Sequence, residues 1–73
     1  MTVQALLFKK NNWDIAGCKF YLNINKIKYL SFRTTAHYYR FRLKEPNYKK
    51  YYYRIQRNYN YNNSIDYIEQ IPI

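Results

Sequence analysis

The segment His37-Tyr38-Tyr39-Arg40-Phe41-Arg42-Leu43-Lys44 separates into two chemistries if its backbone is extended. Successive side chains of a strand point to opposite faces, so His37, Tyr39, Phe41 and Leu43 fall on one side and Tyr38, Arg40, Arg42 and Lys44 on the other. The first set can pack against a core. The second can neutralise phosphates, with a phenol ring beside the cations to stack on a base. A later segment, Tyr51-Tyr52-Tyr53-Arg54-Ile55-Gln56-Arg57, alternates in the same way, with Tyr52, Arg54 and Gln56 sharing a side. Tyr38, Arg40, Arg42, Lys44, Tyr52 and Arg54 are therefore the candidate nucleic-acid-binding residues, on the expectation that the two strands present them on one surface. The same pattern also describes a solvated basic sheet face with Tyr rings lying on Arg stems.

Catalytic chemistry finds little to work with. Cys18 and His37 are the only thiol and the only imidazole, so neither a zinc ligand set nor a nucleophile–base–orienter triad can be assembled. Asp66 and Glu69 lie three apart on a predicted strand, hence on opposite faces, and cannot act as a general acid–base pair. Gly17 is the only glycine, which excludes a Gly-rich phosphate loop. His37 is expected as a packed or half-exposed strand residue. The reading is of a non-enzymatic chain with no cofactor.

The charge balance favours anionic partners. Thirteen Lys and Arg oppose four Asp and Glu, a formal net charge of +9 in 73 residues. All thirteen bases lie at or before Arg57, where only Asp14 and Glu45 oppose them; beyond Arg57 the chain carries only Asp66 and Glu69. The eleven Tyr have a plainer origin as well. Lys, Asn, Ile, Tyr and Phe, all written with A/T-rich codons, make up 40 of the 73 residues. Codon bias explains an excess of Tyr but not its alternation with Arg.

These side chains need elements to hold them. Residues 3–8 form an apolar run that reads as a buried strand, ended by Lys9-Lys10-Asn11-Asn12. Asn12 is the expected N-cap of a helix, with Asp14 in its first turn and Ile15, Cys18 and Leu22 forming an apolar stripe that runs to Asn23 or Asn25. Gly17 lowers the propensity of that helix by about 1 kcal/mol relative to Ala. Residues 26–34 and 36–44 read as a β-hairpin around Thr34-Thr35-Ala36, a turn without Gly or Asn. Glu45-Pro46-Asn47 stops the second strand. Residues 51–57 form a further strand, residues 58–64 an Asn-rich turn, and residues 65–71 a closing strand. The expected fold is α+β: one domain over residues 1–73, with one helix packed on a small, mostly antiparallel sheet in the order β-α-β-β-β-β.

The apolar start of the chain is too short to span a membrane, has no basic stretch ahead of it and runs into Lys9-Lys10, so neither a leader nor a membrane segment is expected. The triplet Asn62-Asn63-Ser64 fits the glycosylation pattern by chance in a chain not expected to be secreted. Trp13 is expected to join the core near the helix start. The closing strand, apolar and poor in charge, would offer a pairing surface to a second copy if it lay at a sheet edge, which makes a homodimeric interaction module the alternative function.

Trp13, Cys18, Tyr21-Leu22, Tyr38-Tyr39-Arg40-Phe41-Arg42 and Pro46 together resemble a pattern, W…A..WL..H…YYRFRQ…P, found in small uncharacterised proteins of tailed phages and large DNA viruses. The likeness spans about residues 6 to 71 and is closest at Tyr-Arg-Phe-Arg. Cys18 stands where the pattern has Ala, Tyr21 where it has Trp, Asn25 where it has His, and Asn62-Asn63-Ser64 where it has glycines. The resemblance implies a non-enzymatic viral protein, virion-associated or acting early in the infected cell, in its cytoplasm or nucleus.

Overall fold

The strand that organises the molecule is β1 (Thr2–Lys9), whose residues Gln4 to Phe8 are all buried. Such a run needs cover on both faces and both edges, and the chain supplies it. The computed structural model describes residues 2–73: β1, α1 (Ile15–Ile24), β2 (Ser31–Thr34), β3 (Tyr38–Arg42), β4 (Tyr51–Gln56) and β5 (Ile65–Pro72). They form one five-stranded sheet in the order β2-β3-β1-β5-β4, with every neighbouring pair antiparallel. The fold is thus the α+β arrangement expected. The closing strand β5, however, is not an edge. It lies between β1 and β4, so the pairing surface it would have offered a second copy is already used.

The helix crosses one face. Cys18 and Leu22 pack with Leu6, Phe8, Phe41 and Ile65, and Trp13, Tyr21, Tyr39, Tyr59 and Tyr67 close around them. Burying each large apolar side chain contributes roughly 1.5–3 kcal/mol. Phe8 is met edge-on by Trp13, Tyr21 and Phe41, with ring centroids 5.1, 5.7 and 5.4 Å away, the geometry that ring quadrupoles favour. Trp13 joins the core as expected, and its indole N–H donates to Ser64 Oγ at 2.9 Å, tying the helix start to the last turn.

Local chemistry explains where the elements depart from expectation. Asp14, not Asn12, is the N-cap: its backbone is extended and its Oδ1 accepts from the Gly17 N–H at 2.6 Å. The helix ends in a Schellman motif, with the Lys26 N–H donating to Asn23 O and the Ile27 N–H to Leu22 O, and Lys26 adopts φ 56° to make the reversal. That motif carries Ile27 onto the core and delays the strand expected from residue 26 until Ser31. The hairpin turn is Ala36-His37. Neither residue has positive φ, so a primed turn is not formed; instead Thr35 Oγ1 accepts from the Tyr38 N–H at 3.1 Å. His37, expected within a strand, is therefore an exposed turn residue.

Two further connections, one tight and one long, complete the frame. Tyr59 and Asn62 pair across Asn60-Tyr61, whose φ values of 51° and 62° are those of a type I′ turn. Residues 43–50 carry the chain from β3 past β1 and β5 to β4. They are anchored at Gln4, where the ladder with β5 shifts register: Gln4 Nε2 donates to Lys44 O at 2.8 Å, and Gln4 O accepts from the Leu43 and Lys44 N–H groups.

Candidate nucleic-acid interface

The antiparallel register decides which side chains share a face. Leu6, Tyr67, Phe41 and Phe32 are cross-strand partners on the helix side, so the next row, Arg33, Arg40, Leu7 and Asp66, lies on the opposite, helix-free face. Tyr38 and Arg42, two residues either side of Arg40, share that face. The division expected within the strand holds: Tyr39, Phe41 and Leu43 pack on the core while Tyr38, Arg40 and Arg42 face away from it.

The expectation of one six-residue surface is corrected. β4 is three strands removed from β3, and Arg54 pairs with Glu69, which in turn pairs with Val3 of the core-facing set. Tyr52 and Arg54 therefore lie on the helix side. Arg54 Nε is 3.7 Å from Glu69 Oε1, a partly exposed ion pair of small energetic weight. Lys44 is exposed just past β3, within the crossover.

On the open face the charges fall into two halves. Asp66 is fully buried; its Oδ2 accepts from the Tyr38 hydroxyl at 2.8 Å and lies 3.6 Å from Arg57 Nη1. The hydrogen bond to Asp66, reinforced by burial, holds the Tyr38 phenol above its ordinary pKa, so Tyr38 keeps its proton and serves the sheet. The other half lacks such balance. Arg33 faces Arg40 directly across β2 and β3, and Arg42 follows on the same side. Among the described residues, Arg33 and Arg40 pair with no carboxylate, and Arg42 has only the largely exposed Glu45, 3.8 Å away. Arg40 Nε is buried without a hydrogen-bond partner in the protein, as is Asp66 Oδ1 in the other half. These guanidinia, with Ser31 and Phe32, line a recess of about 90 Å³.

Arg40 also borders a second recess, of about 190 Å³, walled by Pro46 and Tyr48 of the crossover and floored by Tyr53, Ile55 and Ile68, with Gln4 and Arg54 also at its border. Tyr53 anchors its wall: the hydroxyl accepts from the Asn47 N–H at 2.7 Å and donates to Gln70 Oε1 at 3.1 Å. Arg33, Tyr48 and Tyr53 were not among the sequence candidates. Arg33 could have been found only from the hairpin register, because centring the turn on Thr35 puts it on the opposite face.

Elsewhere, the two tail carboxylates diverge as expected, Asp66 to the open face and Glu69 to the helix side, where it accepts from Gln56 Nε2 at 2.9 Å. Cys18 is wholly buried, and that burial, with Asp14 nearby, raises its thiol to about 11. Among the described residues, no group of three or more His, Cys, Asp or Glu converges as a metal site, and no helix is long and apolar enough to cross a membrane. No family model, curated protein or solved structure matches the chain.

Proposed function

We propose that the chain is a non-enzymatic nucleic-acid-binding module whose helix-free sheet face takes the phosphate backbone, with Arg33, Arg40 and Arg42 as the contacting cations and Lys44 at their border. The observation that carries this reading is the Arg33–Arg40 pair. Like charges directly opposite on a sheet are destabilising, and an anion between them removes the repulsion while giving Arg40 Nε an acceptor. A net charge of +9 adds a long-range attraction for polyanions. The resemblance of the Tyr-Arg-Phe-Arg segment implies that such a module works in a virion or an infected cell.

Fluorescence-anisotropy titrations against labelled nucleic acid at several salt concentrations test the reading. Neutralising Arg33, Arg40 or Arg42 to Gln is expected to flatten the dependence of log K on log salt by about 0.7–0.9 for each phosphate left without its cation. Lys19→Gln, on the helix that covers the other face, is expected to leave that slope nearly unchanged. Equal effects from both faces would refute the assignment.

The competing function is a homodimer formed through an exposed sheet edge. It is favoured by β2, an edge strand with all four residues exposed, and by Phe20 and Ile24, which stand outward one helical turn apart. Light scattering across a concentration series distinguishes it: a dimer that persists in Arg33→Gln/Arg40→Gln and binds no nucleic acid would favour this second reading.

A further inference from the structure

The arginine recess and the aromatic recess meet at Arg40, which lines both. We infer that the open face binds a single-stranded polynucleotide, with one base lodged in the recess between Tyr48 and Ile55 and the adjoining phosphates on Arg33, Arg40 and Arg42. This inference rests on the proposed nucleic-acid reading and narrows it to unpaired strands.

Three observations carry it. The recess of about 190 Å³ exceeds the roughly 150 Å³ that suffices for a benzene ring. Its apolar surface is uncovered: Tyr48 is 75% exposed and Ile55 59% exposed, although Ile55 sits within a strand. The wall is also held in place before any ligand arrives. Tyr48 meets Tyr53 edge-on at 5.3 Å, the Asn47 N–H is fixed to the Tyr53 hydroxyl, Asn47 Oδ1 accepts from the Lys49 N–H, and Asn47 O accepts from the Tyr51 N–H. A ring so positioned loses little freedom when a base stacks on it.

Charge and shape then select the occupant. A free aromatic molecule would use the recess but not the guanidinia, and a base-free polyanion the guanidinia but not the recess. A duplex presents its phosphates but keeps its bases stacked inside, whereas an unpaired strand can turn one out.

The test compares labelled oligo(dT), an abasic strand of equal length and charge, and a duplex, against the wild-type chain, Tyr48→Ala and Ile55→Gln. Tyr48 and Ile55 are exposed, so both variants should keep the fold, which circular dichroism checks. Wild type is expected to bind oligo(dT) about tenfold more tightly than the abasic strand, and each variant to lose most of that preference while keeping its salt slope. Equal binding of all three ligands, unaltered by Tyr48→Ala, would overturn the base recess and leave phosphate binding standing. Absence of binding to every ligand at low salt would overturn both.

Discussion

The two faces of the sheet are built from the same strands, one residue out of step, and do opposite work. On the helix side the row Phe32, Phe41, Leu6 and Tyr67 is apolar and lies over or beside the core. One residue along, the row Arg33, Arg40, Leu7 and Asp66 carries the charge. Within that second row the contrast repeats. Asp66 Oδ2 is met by Tyr38 and Arg57, although Oδ1 has no partner, while among the described residues Arg33 and Arg40 confront each other with no carboxylate paired to either. A sheet can therefore keep its stability on one face and leave an unresolved electrostatic demand on the other, because alternation separates the two sets by the thickness of the backbone.

Truncating neighbouring residues of β3, one on each side, should give the largest contrast. Phe41→Ala is expected to cost about 3–5 kcal/mol in chemical denaturation, because the ring is fully buried against Phe8, Tyr29 and Phe32. Arg40→Ala, its neighbour in sequence, should change stability far less and act on nucleic-acid binding instead. Comparable losses of stability from both would erase the distinction between the faces.

Alkaline pH separates the faces next. The Cys18 thiol, raised from 9.0 to about 11, contributes stability that is fully present below pH 9 and lost as pH rises from 9 towards 11, at most about 2–3 kcal/mol. Tyr38 on the open face has the same sign: its contribution is present below pH 10 and declines above it. Melting temperature measured from pH 8 to 11 should fall, and Cys18→Ala should show a shallower fall than wild type. An identical profile in Cys18→Ala would remove the core thiol from the explanation.

Breaking the buried carboxylate tests the balanced half of the open face. Asp66→Asn retains the size but removes the charge facing Arg57 and weakens the acceptor for the Tyr38 hydroxyl, with an expected cost of about 1–3 kcal/mol. It should also return the Tyr38 phenol towards its ordinary pKa, seen as an earlier rise of tyrosinate absorbance. The smallest effect is expected away from both faces. Tyr61 is fully exposed at φ 62°, so Tyr61→Gly should stabilise by about 0.5–1 kcal/mol through relief of left-handed strain.

Much of the fold was legible because local rules and long-range packing agree. The apolar run at β1 and the turn at residues 58–64 fall where residue type predicts, whereas β3 ends at Arg42, short of the expected stop at Pro46, because the Leu43 and Lys44 N–H groups turn to Gln4 O. The helix start was displaced because Asn12 and Asp14 are both competent caps, and the choice depended on which one let Trp13 reach Phe8 and Ser64. The shortened β2 has a similar cause: residues 26–30 are as rich in strand formers as those after them, but the Schellman reversal uses them to return the chain to the sheet. Half of the candidate site was legible. Tyr38, Arg40 and Arg42 share a face for reasons internal to one strand, whereas Tyr52 and Arg54 depended on a neighbour relation that periodicity does not contain.

Residue types and their order were enough for the α+β class, the amphipathic split of each strand and the excess of positive charge, since these follow from covalent geometry with a period of two and from composition. Three-dimensional pairing was needed to make β5 interior, to set Arg33 against Arg40, and to bring Pro46 and Tyr48 beside Arg40 from the crossover. The physical reason is parity. A shift of one residue in a turn moves every side chain of the strand to the other face, and that shift is settled by the Thr35 hydroxyl and by burial of Phe41 on the core side, where Phe32 packs against it.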